Sequence, residues 1–207
     1  ALSAMQSVLN FRREAQAEQT SLAAAAARSA ATARARIESA EVLMQTLAPG
    51  SVGFQCAPSL AELKRRITGY ANLIRFDATG RVVCSANGAL PDPNRRDSDW
   101  FSRVSHGEPL VVTRASPAQF GADPAVLAAV PAHDENGAFA GAMTAVIRLT
   151  SLRPEIAGGA LPRDTEVAVA DEAGRIVNQT DPLAFSSLAH DWRAQAKAKG
   201  AVMFTAD

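Results

Sequence analysis

The 207-residue chain is 47% hydrophobic and balances 21 Lys and Arg against 21 Asp and Glu. That is enough apolar material to core one large or two small domains, and the zero net charge argues against nucleic-acid binding, which draws on a basic excess. No run of about 18 apolar residues is present to span a bilayer, no secretory leader is visible, and the start at Ala1 without Met leads us to expect a piece of a longer protein.

Residues 2–48 contain neither Gly nor Pro and are rich in Ala, Glu, Gln and Arg, all strong helix formers. Pro49-Gly50 ends the stretch. A helix of that length reaches about 70 Å at ~1.5 Å per residue. Its apolar stripe, running through Leu22, Ile37, Met44 and Leu47, is incomplete and Ala-heavy. We therefore expect half of it to pack on its own domain and half on a second copy of the chain. The alternative is one Ala-rich helix lying along its own domain.

A second helix is predicted over 58–68, with Pro58 in its first turn. The pattern then changes. Short aliphatic or β-branched runs at 70–76, 80–86, 109–115, 125–132 and 137–149, bounded by Gly, Pro, Asp or Asn, read as strands. The stretch SDWFSRVSHG (98–107) interrupts them as a short helix ending at a Gly.

Residues 77–83 read DATGRVV and residues 171–177 read DEAGRIV. In each, an Asp can bond its own backbone while the Gly takes a positive φ, the chemistry of a hairpin turn. Asp77 with Gly80, Asp134 with Gly137, and Asp171 with Gly174 are the predicted turn residues. The second copy, DEAGRIV, opens a second unit: a short helix and a Gly/Pro break over 151–164, strands at 165–170 and 174–179, a helix at 186–200 and a strand beginning at 201. The chain stops at Asp207, so this unit is expected to be incomplete. The two cysteines, Cys56 and Cys84, are either buried thiols or a disulfide worth roughly 3 kcal/mol by the chain-entropy model. Their spacing favours neither.

In serial order, a long helix, strand–DATG–strand with CSA, DSDWFSRVSHGEPLVV, PAVLAAVPAHDENGAFAGAMTAVIRLTSL and LPRDTEVAVADEAGRIV, the chain resembles the double Cache sensor region of bacterial transmembrane receptors. It is most similar to proteobacterial sensor histidine kinases, and the resemblance covers essentially the whole chain. It implies an α+β fold in which a long N-terminal helix (1–48) carries two PAS-like antiparallel-sheet units in tandem. A membrane-distal unit spans 49–152, and a smaller membrane-proximal one, truncated at its C-terminus, spans 153–207. In the look-alikes a Cys before the helix that opens the first unit and a Cys in a CSA strand recur, so the resemblance implies a Cys56–Cys84 disulfide. It also implies a periplasmic sensor region of an inner-membrane receptor, homodimeric through its first helix and anchored by segments outside this chain.

The resemblance places a ligand pocket between the central sheet and the helix-bearing segment 87–107. Trp100 and Phe101 are its expected anchors; their other role is core packing. Amino-acid-binding relatives carry an Arg two positions before this aromatic pair, where this chain has Ser98. Arg96 and Asp99 are candidates beside it, although together with Asp97 they also suit a salt-bridged helix start. On the strands, Arg75, Ser85, Thr113 and Arg114 are candidate pocket residues, an Arg there suiting a carboxylate or phosphate. No Cys, His, Asp or Glu spacing resembles a metal site, and no nucleophile elbow or phosphate loop occurs. Neither a cofactor nor enzymatic activity is expected of this chain. The functional readings are a sensor of an unidentified small periplasmic molecule, or a protein-interaction module whose pocket is filled by Phe76, Trp100, Phe101 and Phe139.

Overall fold

The computed structural model describes residues 2–90, 92–116, 125–152, 168–170 and 176–179. Helix α1 runs from Leu2 to Leu47 and passes into a 3-10 turn, Ala48–Gly50. Helix α2 (Cys56–Arg66) begins two residues before the predicted start. Pro58 still lies in the first turn, where a backbone N–H has no intrahelical partner to lose. Strands β1 (Tyr70–Phe76) and β2 (Val82–Ser85), helix α3 (Asp99–Ser105), and strands β3 (Val111–Ala115), β4 (Ala125–His133) and β5 (Phe139–Arg148) follow.

The strands form one antiparallel sheet in the order β2-β1-β5-β4-β3. Strand β2 starts at Val82 rather than Gly80, because Gly80 and Arg81 belong to the turn. Asp77 Oδ1 accepts hydrogen bonds from the backbone N–H groups of Thr79 and Arg81, and Gly80 N–H donates to Asp77 O. Asp134 Oδ1 accepts from the N–H groups of Asn136 and Ala138 in the same way. Gly80 and Gly137 take φ of 80° and 79°. Both predicted turns are therefore built on one chemistry.

Both faces of the sheet are buried, which is why β4 and β5 read as continuous apolar runs rather than as alternation. On the first face Ile74, Phe76, Leu127, Ala129 and Val146 pack against Trp100, Phe101 and Val104 of α3. The second face carries Leu73, Val126, Ala128, Val130 and Met143. Cys84 pairs with Arg75 across β1 and β2, so it shares this second face. The Cys56–Cys84 disulfide joins the start of α2 to it, with Cα atoms 6.0 Å apart.

Residues Ala35–Ser151 form one compact unit, and Ala1–Arg34 with Leu152–Asp207 form another. In the latter, strands β6 (Ala168–Ala170) and β7 (Ile176–Gln179) pair antiparallel. Of the predicted 151–164 helix, Leu149–Leu152 is a 3-10 turn. The remainder of that segment, Asp171, Gly174, and the elements predicted at 186–200 and from 201 lie outside the described residues. No helix among the described residues is long and apolar enough to cross a membrane.

Candidate functional site

The segment between β2 and α3 turns back along the sheet edge. Val82 N–H donates to Pro93 O, Arg95 N–H donates to Gly80 O, and Arg81 bridges to Asn94. A Cβ on Gly80 would stand 2.6 Å from Arg96 N, so the crossing needs a residue without a side chain. Arg95 is buried, pairs with Asp92 at 2.9 Å and donates to Asn94 O at 2.7 Å. Burial lowers its proton affinity, and the Asp92 carboxylate opposes that. A cavity of about 350 Å³ opens here, lined by Asp92, Asn94, Arg95, Arg96, Asp97 and Ser98.

Ser98 is extended and starts α3, but its hydroxyl donates back to Arg95 O instead of capping the helix. Asp99 pairs with Arg103 one turn along, at 3.8 Å, so the ion pair at the helix start does not involve Arg96. Arg103 also clamps Glu108 through two bonds of 2.8 and 2.6 Å, which fixes the exit from α3 toward β3.

The predicted anchors Trp100 and Phe101 are both buried. Phe76, Trp100, Phe101 and Phe139 form a chain of edge-to-face contacts with centroids 5.4, 5.6 and 5.9 Å apart. Each such pair adds about 0.5–1.5 kcal/mol beyond its buried area. The indole N–H of Trp100 is buried and has no acceptor among the described residues.

Of the four strand candidates, two share this face. Ser85 pairs with Ile74, and Thr113 with Leu127. Arg75 and Arg114 pair with Met143, Cys84 and Val126, and so lie on the other face; Arg114 is exposed there and Arg75 is buried. Ser85 belongs to a polar network that sequence reasoning missed. Asn72 Nδ2 donates to Ser85 Oγ (3.0 Å), and Asn87 Nδ2 donates to Ala71 O (2.9 Å) while its N–H reaches Ser85 Oγ. Lys64 Nζ bonds Asn87 Oδ1. Thr144, also buried, donates to Ile74 O at 3.3 Å. Asn72 inside YANLIRF was the available signal, since a polar residue in an apolar strand needs partners. No group of metal-ligating side chains occurs among the described residues.

The sequence profile of the Cache domain family matches residues 9–204. The chain belongs to the Cache domain family. No curated protein is a detectable sequence relative of this Cache domain. Its fold is similar to the ligand-binding domain of the Pseudomonas aeruginosa amino-acid chemoreceptor PctC in complex with GABA (TM-score 0.61, 17% identity, 91% of this chain and 85% of that one). It is also similar to the sensor domain of the V. cholerae histidine kinase DctB (TM-score 0.58, 13% identity, 95% and 77%). Against an extracellular ligand-binding receptor from Desulfohalobium retbaense (TM-score 0.51, 17% identity) the match covers 65% of this chain but 26% of that one, about a quarter of its length. At these identities the likeness is one of fold.

Proposed function

We propose that this Cache domain is the periplasmic sensor region of a membrane-anchored signalling receptor, the input of a two-component sensor histidine kinase. The observation that carries this is the family match over 9–204, joined to a long helix that leads into a sensor-type five-stranded sheet. The Cys56–Cys84 disulfide supports an oxidising compartment. In this reading residues 1–48 are the signalling and dimerisation helix, 49–152 the membrane-distal unit, and 153–207 a smaller membrane-proximal PAS-like unit. The paired strands β6 and β7, flanking DEAGR, support the tandem arrangement. The receptor is a homodimer through its first helix, attached to the membrane by segments outside this chain. Ligand occupancy biases the packing of that helix between two states.

We assign the signal to the face carrying the 87–107 segment. The Trp100 indole N–H, buried without an acceptor among the described residues, is the donor we assign to the ligand. With it we assign Arg96, Asp99 and Phe101 of the same segment, and Ser85 and Thr113 of β2 and β3. A second reading, a protein-interaction module without a small ligand, is favoured by the four aromatic rings that fill this face. A thermal-shift panel of amino acids and small carboxylates separates the two. A true ligand at 100 times its Kd stabilises the chain by about 2.7 kcal/mol, and Trp100→Phe reduces that gain. A panel without a hit favours the protein partner. A full-length gene with no membrane span flanking this region overturns the receptor reading.

A further inference from the structure

We propose that a second site, for a small monocarboxylate, lies on the opposite face of the sheet, between Arg75 and the C-terminal end of α1. It does not depend on the ligand site assigned above. A cavity of about 700 Å³ opens there, a volume suited to a small organic molecule. Ala48, Pro49 and Val52 form one wall, Pro131 and Ala140 of the β4–β5 hairpin face them, and Arg75 borders the space. These walls are apolar; the polar members of the lining are Arg75, Gln45, His133, Asp134 and Glu135.

Arg75 is 4% exposed. Its guanidinium donates to the backbone carbonyls of Phe76, Ala142 (3.3 Å) and Ala140 (3.0 Å). Those bonds tie the ends of β1 and β5, but they use three of the five N–H donors of the fork. Nε is buried without an acceptor among the described residues. Among the described residues no carboxylate forms a salt bridge with Arg75. Asp77 is the charge that acts on it from nearby, and Asp77 Oδ1 is engaged by Thr79 and Arg81. Among the described residues the guanidinium is bonded by carbonyl dipoles alone, with Asp77 acting on it through space, and a carboxylate matches its planar fork.

Strand β5 crosses β1 closely beside this group. Gly141 takes φ +119°, and a Cβ there would overlap Phe76 O and stand 2.5 Å from Asp77 C and 2.6 Å from Arg75 Nη1. The β1 backbone by itself requires glycine here, and one result is that no side chain at 141 stands beside the guanidinium. Asp134 and Glu135 at the rim disfavour polyanions such as phosphate esters. One carboxylate on a compact apolar body satisfies both the rim and the walls.

Nitrogen-15 NMR of the full chain tests this, because arginine Nε–H and indole Nε1–H signals report the two faces separately. Sodium butyrate is titrated against butyramide, its neutral isostere. Butyrate is expected to move the Arg75 Nε–H signal and the amides of 48–52 and 132–135 saturably, and butyramide is not. Val52→Trp, on the exposed cavity wall, should weaken butyrate binding about tenfold or more with the Trp100 indole signal unchanged. Trp100→Phe should leave butyrate binding intact. Equal responses to both probes, no saturable movement at Arg75, or movement confined to the Trp100 indole overturns the proposal; the last of these would support the 87–107 site instead.

Discussion

Asp77 and Asp134 close two turns with the same hydrogen bonds, yet their glycines are not equivalent. Both Gly80 and Gly137 hold positive φ, which costs an L-residue about 1–2 kcal/mol. Only Gly80 also faces the backbone of Arg96, 2.6 Å from a hypothetical Cβ, whereas no described residue lies within 4 Å of one at Gly137. Gly137→Ala should therefore cost about 1 kcal/mol in urea unfolding, and Gly80→Ala about 3 kcal/mol or more. Equal costs would show that the 93–96 segment yields freely. Asp77 also sets a pH dependence. Burial raises its pKa, but hydrogen bonds from Thr79 and Arg81 and the Arg81 charge outweigh this, leaving it below the ordinary carboxylate range. A carboxyl with a depressed folded-state pKa stabilises above its unfolded pKa, and that contribution is lost as pH falls through the folded value. Acid unfolding of Asp77→Asn should show a shallower loss of stability at low pH than the parent chain.

Between elements, the disulfide is the covalent tie from α2 to the sheet. Closing a separation of 28 residues is worth roughly 3 kcal/mol in the chain-entropy model. Reduction, or Cys56→Ser with Cys84→Ser, should lower the urea-unfolding free energy by about that amount while leaving β-sheet circular dichroism intact. A loss of sheet signal would mean that α2 is needed for β2 to pair. Element identity was legible where local chemistry and burial agree. Strand β1 is bounded by Gly69 and Asp77 and matches its predicted range. Strand β2 was over-extended because Gly80-Arg81 looks strand-like until its bonds to Asp77 and the 93–96 edge are known. The division of candidate residues between faces was only half legible. Alternation along β1 already sets Arg75 opposite Phe76, but the bulges between Arg75 and Phe76 and between Tyr70 and Asn72 hide in the pairing register. The Asn72–Ser85–Asn87 network and the Arg75 cavity needed long-range geometry that no local pattern encodes.

At the scale of the whole chain, residues Ala35–Ser151 make a compact unit containing the complete five-stranded sheet, α2, α3 and the disulfide. A fragment cut to 35–151 should fold cooperatively and retain the disulfide, and the full chain should unfold in more than one calorimetric step. A single two-state transition of the full chain, lost on truncation, would show that the units fold only together. Gln45, in the last turn of the 46-residue helix α1, and Ala48, just beyond its end, both wall the Arg75 cavity. Binding free energies are reciprocal. Whatever rotates or clamps that helix end must therefore change affinity in the cavity by the same factor with which occupancy biases the helix. Locking α1 to a second copy by an engineered cross-link would then retune the cavity without altering one residue that lines it.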